Sequence, residues 1–267
     1  MLGLPRLVAR PGIGVIYSKQ LKLVFIKGKK VAGTSVEILL SALCGPDDII
    51  TPITPIDEKL RLASGGRAPQ NYGADPAELR RFNELVAQGS NEDLAGIETP
   101  KGTFRNHSEL AAVVRHLGPI PDDYVTFVVE RSPYYKVLSA INMHQNFDSY
   151  RGSGARMVSG DEQIAQAADE VFKRESWPGR LNIDRYKLRG RVPPWLKVIK
   201  YDTLAQDLRA LLIERGVANP PDLPVAKEGR RSETLDLRKL LRPEHIARIN
   251  SAYAEEFETF GFPRIDP

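Results

Sequence analysis

Residues 27–35 bring lysines, glycines and hydroxyl side chains together in one short stretch, KGKKVAGTS. An apolar, β-branched run at residues 23–26 precedes it, and apolar residues at helical spacing follow it. This pattern predicts a buried strand, then a loop, then the start of a helix. The first N–H groups of a helix lack partners within the helix, and the helix dipole favours an anion at that end. The stretch therefore predicts a phosphate-binding loop.

The loop differs from the nucleoside triphosphate loop GxxxxGK[ST] at the lysine. Gly28 and Gly33 keep the glycine spacing and Ser35 keeps the hydroxyl group, but Thr34 stands where the lysine would reach the β- and γ-phosphates. The basic side chains lie inside the loop instead. This arrangement indicates a nucleotide with one 5′-phosphoryl group that carries another substituent, and it argues against an ATPase or GTPase.

A second strand-to-helix junction follows the apolar run at residues 124–129, which predicts another buried strand. Ser132 can cap a helix, and Pro133 suits a first helical turn. Arg131 then lies at the carboxyl end of a strand, where open α/β sheets bind ligands. Ser139 follows about two turns into the predicted helix.

The first junction resembles the 5′-phosphosulfate loop of sulfotransferases that use 3′-phosphoadenosine 5′-phosphosulfate (PAPS). In residues 26–37, IKGKKVAGTSVE, the family's lysine corresponds to Lys30, its GTS triplet to residues 33–35 and its acidic position to Glu37. Lys29 departs from the pattern, because the family often has proline there. The resemblance implies that Lys30 acts in catalysis beside the bridging oxygen of PAPS.

The second junction resembles the 3′-phosphate motif of the same family. In residues 128–141, VVERSPYYKVLSAI, Arg131 and Ser139 match the two positions that hold the 3′-phosphate. Ser132 and Glu130 depart from the common pattern, and neither replaces a phosphate ligand. A basic loop before the last helix is loosely similar to a third nucleotide-binding segment of glycosaminoglycan-type members. The resemblance thus implies these nucleotide contacts: Lys29, Lys30, Val31, Ala32, Gly33, Thr34, Ser35, Arg131, Ser139, Lys227, Gly229 and Arg230.

The resemblance implies an enzyme that moves a sulfuryl group from PAPS to an acceptor hydroxyl or amine and releases PAP. Similarity to carbohydrate, family-two-like members favours a saccharide acceptor, with lipid or small phenolic acceptors as alternatives. His107, in the segment NHSEL, is the leading candidate for the general base, with His144 and Glu109 as alternatives. No metal is expected, because the four histidines are scattered and no Cys or Asp cluster has ligand spacing.

Two other functions remain open from the residues. A kinase with a divergent phosphate loop would need Mg²⁺ and an acidic residue after a strand, for which Asp202 is the candidate. A nucleotide- or glycan-binding module without catalysis would bind PAP but convert no acceptor.

The order of elements predicts an α/β fold, a P-loop-like three-layer α/β/α sandwich around a mainly parallel sheet, in a single domain over residues 1–267. Residues 14–17 suggest a short edge strand, and residues 195–201 a further strand. Residues 243–260 suggest one long final helix. The segments at about 46–106 and 145–195 are expected to be loop-rich and to face the acceptor, with residues 46–77 mostly loop.

Composition is ordinary for a globular protein, with 267 residues, a net charge of +4 and a pI near 9.1. The basic residues are spread along the chain, so nucleic acid is not the expected partner. The single cysteine, Cys44, excludes an internal disulfide and is expected in the core. Neither a membrane-spanning segment nor a signal peptide is recognisable, which predicts a cytoplasmic protein or, as the alternative, a chain from which a membrane anchor has been removed.

Overall fold

The computed structural model describes residues 14–104, 109–145, 161–174, 177–179, 181–224 and 236–267. Within them, one sheet has five strands in the order β3-β1-β2-β4-β5. The strands are β1 (Val15–Ser18), β2 (Leu23–Ile26), β3 (Ile49–Ile50), β4 (Val125–Glu130) and β5 (Lys197–Lys200).

The sheet is parallel where the two predicted junctions lie. β4 runs parallel to both β2 and β5, whereas β1 is antiparallel to its neighbours β2 and β3. Four of the five strands therefore point in the same direction, and the expected mainly parallel centre is confirmed. As a result, the carboxyl ends of β2, β4 and β5 meet at one edge of the sheet.

Twelve α-helices surround the sheet in the described part of the chain. They are α1 (Gly33–Ala42), α2 (Pro55–Ala63), α3 (Pro76–Gln88), α4 (Asn91–Leu94), α5 (Leu110–Leu117), α6 (Pro133–Gln145), α7 (Asp161–Phe172), α8 (Ile183–Tyr186), α9 (Leu204–Glu214), α10 (Leu237–Leu240), α11 (Pro243–Ala252) and α12 (Ala254–Phe260). No helix among these residues is long and apolar enough to cross a membrane.

Both faces of the sheet are covered, because successive side chains of a strand point to opposite sides. In β2, Leu23 and Phe25 pack with apolar residues of α1 and α9 in one core. Val24 and Ile26 point the other way and join a second core with residues of α5 and α8. The three-layer α/β/α arrangement predicted from the sequence is thus confirmed.

A further group of helices packs around its own core. Residues of α6, α7, α10, α11 and α12 form this third apolar cluster, which includes Ile141, Ala168, Leu240, Ile249 and Phe257. Because α6 directly follows β4, this helical layer is connected to the carboxyl edge of the sheet.

Two local expectations were wrong, and a helix was missed within a third stretch that is otherwise mostly loop. The strand at residues 15–18 is not at the edge, because β3 pairs with its outer side. The stretch 46–77 contains β3 and α2, and Thr54, just before α2, caps it with a hydroxyl that accepts the Asp57 N–H at 3.3 Å. The final helix is interrupted at Tyr253, which separates α11 from α12.

Candidate functional site

The loop between β2 and α1 has an alternating backbone that suits an anion. Lys30 and Ala32 have positive φ angles of 61° and 60°, whereas Val31 between them is not left-handed. Alternation of this kind can turn successive N–H groups toward one side, which forms an anion-binding concavity. Ala32 precedes α1 and has no side-chain acceptor to cap it, and the first turn carries no acidic residue. The partial positive charge at this helix end is therefore not offset locally.

The two glycines of the loop are required by close contacts. A Cβ atom on Gly28 would lie 2.4 Å from the hydroxyl oxygen of Tyr186 and 2.9 Å from Nδ2 of Asn182. A Cβ atom on Gly33 would lie 2.4 Å from Cγ of Lys27. The glycine spacing seen in the sequence thus lets the loop pack against both α8 and the end of β2.

A buried ion pair fastens the two ends of the loop. Nζ of Lys27, the first residue after β2, lies 2.5 Å from Oε2 of Glu37 in α1. Glu37 is fully buried, and the Lys27 side chain is nearly so. Glu37, the acidic position of the motif, therefore has an ion-pair partner inside the same junction. Lys27 supports the loop through this pair, and the sequence analysis missed it.

The other predicted residues of this junction lie along the loop and the first turn of α1. Lys29 is exposed, Lys30 and Thr34 are half-buried, and Ser35 is buried. The Lys29 N–H donates to Oδ1 of Asn182 at 2.7 Å, and its carbonyl accepts from Nδ2 of Asn182 at 3.1 Å. The backbone of Lys29 is therefore held by the protein itself.

Arg131 follows β4 at the same edge of the sheet as the loop. Its guanidinium lies 4.0 Å from the ring centroid of Tyr201 and 5.2 Å from that of Tyr135. Stacking on aromatic faces leaves the edge of a guanidinium able to make hydrogen bonds. Ser139, half-buried in α6, lies four residues after Tyr135 and so on the same helix face.

Directly before Arg131, Glu130 belongs to a buried network of charged groups. Oε2 of Glu130 lies 2.7 Å from Nζ of Lys136 in α6, and Oε1 accepts the Tyr186 hydroxyl at 2.8 Å. The same lysine also bonds Oε2 of Glu256 in α12. The sequence offered no signal for this network, because its members come from four separate segments.

The surroundings of these groups shift their pKa values. Burial lowers the pKa of Lys136, but the charges of Glu130 and Glu256 more than reverse this, so its pKa lies above the usual value. Burial raises the pKa of Glu256, against the opposing effect of Lys136. Burial and the charge of Glu130 raise the pKa of Tyr186 well above its ordinary value. Lys136 is thus a firmly protonated cation shared by two carboxyl groups.

The candidates for the general base and the third binding segment are placed only in part. His107, Lys227, Gly229 and Arg230 lie outside the described residues. His144 belongs to the last turn of α6, and Glu109 is half-buried immediately before α5. The preference for His107 over His144 and Glu109 as the group that takes the acceptor proton therefore stays a prediction.

Two other histidines have structural surroundings. Nε2 of the buried His245 lies 2.7 Å from Oδ1 of Asp169, and its Nδ1 accepts the Arg242 N–H at 3.3 Å. These contacts connect α11 to α7. His116 is exposed and packs edge-on against Phe104.

Cys44 is also structural, because burial raises the pKa of its thiol to about 12. Among the residues that the structure describes, no group of three or more His, Cys, Asp or Glu side chains is arranged to hold a metal ion.

Comparison with known proteins adds little. No family model matches the chain, and no curated protein matches it. Among solved structures, a sulfotransferase from Alicyclobacillus acidocaldarius is similar over 95% of this chain and 97% of its own, with 17% sequence identity and a TM-score of 0.39. A TM-score at this level supports no inference about function.

Proposed function

We propose that this chain is a sulfotransferase that moves a sulfuryl group from PAPS to an acceptor hydroxyl or amine and releases PAP. The observation that carries the proposal is the position of the two motif-bearing junctions. They follow β2 and β4, which are adjacent and parallel, so the loop and Arg131 lie at the same edge of the sheet. A nucleotide with separate 5′ and 3′ phosphate groups requires two anion sites of this kind.

The residues of the first junction would hold the 5′-phosphosulfate. The alternating backbone around Val31, the uncapped start of α1 and the hydroxyl groups of Thr34 and Ser35 suit a phosphate group. Lys30 would neutralise the charge that develops on the bridging oxygen as the sulfur–oxygen bond breaks. The ammonium group of Lys29 would add positive charge at the rim.

The residues of the second junction would hold the 3′-phosphate. Arg131 is oriented by two aromatic rings, and its donors suit a phosphate oxygen pair. Ser139 would add a hydroxyl donor from α6. Lys227, Gly229 and Arg230, which lie outside the described residues, stay predicted nucleotide contacts from the resemblance.

PAPS supplies the activated sulfuryl group, and the chain supplies binding, orientation and a base. We assign the base to His107, with His144 and Glu109 as alternatives; it would take the proton of the attacking hydroxyl or amine. A saccharide acceptor remains a prediction from the resemblance, and a cytoplasmic location remains a prediction from the sequence.

Thermal unfolding with different nucleotides tests the proposal. PAP should raise the melting temperature clearly more than AMP, because AMP lacks the 3′-phosphate assigned to Arg131 and Ser139. A ligand present at a hundred times its Kd stabilises the folded state by about 2.7 kcal/mol. ATP with Mg²⁺ should have a smaller effect than PAP. Equal stabilisation by PAP and AMP would contradict the 3′-phosphate assignment, and a larger effect of Mg²⁺-ATP would favour a kinase.

Turnover completes the test. The protein should convert PAPS to PAP in the presence of a panel of saccharide, phenolic and amine acceptors, with the sulfated product detected by mass spectrometry. Binding of PAP without conversion of any acceptor would instead favour a non-catalytic module.

A further inference from the structure

Asn182, immediately before α8, has both ends of its side-chain amide on the phosphate loop. Its Oδ1 accepts the Lys29 N–H at 2.7 Å, and its Nδ2 donates to the Lys29 carbonyl at 3.1 Å. The residue is 4% exposed, so water hardly competes for these bonds. One side chain therefore restrains the peptide groups on both sides of Lys29, the residue next to Lys30.

Asn182 is itself held by a residue of α12. Oε1 of Glu256 accepts the Asn182 N–H at 2.9 Å and the Ile183 N–H at 3.2 Å. Glu256 is fully buried, so this carboxylate is the local partner of both N–H groups. Movement of α12 would therefore move the amide that restrains the loop.

The other oxygen of Glu256 continues the connection to the second junction. It bonds Nζ of Lys136, which bonds Glu130, and Glu130 is the residue before Arg131. The Arg131 N–H also donates to Oε2 of Glu130 at 3.3 Å. A continuous series of contacts, buried in its middle and partly buried at both ends, thus leads from the loop backbone to the backbone of Arg131.

We propose that Asn182 is a positioning residue that fixes the phosphate loop relative to Arg131, with Glu256 and Lys136 as the connection. The inference rests on the proposed function, because it assigns the loop to the 5′-phosphosulfate and Arg131 to the 3′-phosphate. Asn182 does not touch the nucleotide in this role. It sets the position of the loop peptide and so of Lys30.

The inference predicts a selective loss of affinity. In Asn182→Ala, the affinity for adenosine 5′-phosphate and for PAP should fall about tenfold, because binding must then also order the loop peptide that Asn182 holds in place in the wild type. The affinity for adenosine 3′-phosphate should stay within about twofold, because Arg131 keeps its contacts with Tyr135 and Tyr201. Isothermal titration calorimetry on the full chain measures all three affinities.

Lys187→Ala is the matched control. Lys187 also connects the α8 segment to α12, through Glu255 at 2.7 Å, and it bonds Asp184 at 3.0 Å. It should therefore report any general loosening of this segment, and all three affinities should remain at the wild-type values. If Asn182→Ala does not fold, Asn182→Ser provides the same test with a smaller polar side chain.

The outcomes separate the inference from the proposed function. If the wild-type protein does not bind PAP, the proposed function is wrong. If it binds PAP and the Asn182 variant loses affinity only for the two 5′-phosphate ligands, the positioning role is supported. If the variant binds all three ligands normally, or loses affinity for the 3′ and 5′ ligands equally, the positioning role is overturned.

Discussion

At the end of β2, Lys27 reaches a glutamate in the following helix, whereas at the end of β4, Glu130 reaches a lysine in the following helix. Both junctions thus place a buried ion pair beneath the residues proposed to bind phosphate, with the charges in opposite order. The first pair joins residues ten positions apart. The second includes a third member, Glu256, which lies 120 positions from Lys136.

The difference separates a local support from a long-range one. The ion pair of the first junction is completed within its own segment, and the strain of that loop lies in the left-handed residues Lys30 and Ala32. The ion pair of the second junction is shared with Glu256 of α12, and Glu130 also accepts the Tyr186 hydroxyl from α8. Changes in α8 and α12 should therefore affect the second ion pair more than the first.

Removal of the lysine in each pair should show this difference most strongly. Lys136→Met leaves two buried carboxylates without their cation, and we expect a loss of about 3–5 kcal/mol in the free energy of unfolding. Lys27→Met leaves only one carboxylate, Glu37, without its cation, and the position of the Lys27 side chain is partly accessible to water. We therefore expect a smaller loss in the free energy of unfolding, about 1–3 kcal/mol. Urea denaturation measures both values.

A third lysine provides the control for that comparison. Lys173 pairs with Glu170 on the surface, where both side chains are about 70% exposed, so Lys173→Met should cost less than about 0.5 kcal/mol. Equal losses of unfolding free energy for Lys27→Met and Lys136→Met would mean that Glu256 does not make the second ion pair more dependent on α12 than the first.

The two junctions should also differ in kinetics. Lys30→Ala should lower kcat by about 100-fold with a small change in the KM for PAPS, because Lys30 acts on charge that develops in the transition state. Arg131→Ala should mainly raise the KM for PAPS, by about 10-fold, because a 3′-phosphate contact contributes to binding throughout the reaction.

Steady-state rates at varied PAPS concentration distinguish the two effects. Lys22→Ala serves as the control, since Lys22, the residue before β2, is exposed and pairs with Asp123 at the surface. The assignment of separate roles would be wrong if both variants changed the same kinetic constant to the same degree.

The pH dependence of stability is the smallest expected effect. Burial raises the pKa of Glu256 in the folded protein above its ordinary value of 4.5. The folded state then binds more protons than the unfolded state above about pH 4.5, so stability should fall as pH rises from there toward the folded pKa. Glu256→Gln should show a shallower fall over that window.

A second buried acid, Glu58, also makes stability fall as pH rises, and it does so in both the wild type and Glu256→Gln. Burial raises the pKa of Glu58 to about 7, so the difference between wild type and Glu256→Gln isolates Glu256. Urea denaturation at intervals from pH 4.5 to pH 7 provides the comparison. Parallel curves would show that Glu256 binds no extra proton on folding.

Features that depend on neighbours in the chain were predictable from the sequence. The strands at residues 23–26 and 125–130, the glycine spacing and the starts of α1 and α6 follow from periodicity and capping chemistry. The helix α2 was missed, although Thr54 and Pro55 form a recognisable helix start, because the surrounding Pro- and Asp-rich composition favoured a loop.

Features that depend on pairing across the fold were not predictable. The position of β1 inside the sheet depends on a two-residue strand, β3, which is too short to show a pattern. The break at Tyr253 lies within a continuous apolar repeat. Neither Asn182 nor Glu256 carries a local sequence signal, because each acts through residues more than 70 positions away.

The sequence by itself determined the α/β class, two strand-to-helix junctions and the residue types at each, because those properties arise within about fifteen residues of chain. The tertiary structure decided that the junctions share one edge of the sheet, and that Asn182, Glu256 and Lys136 connect them. Strand order and buried charge pairing depend on which distant segments come into contact. Contacts of that kind are not determined by the residues of any single segment.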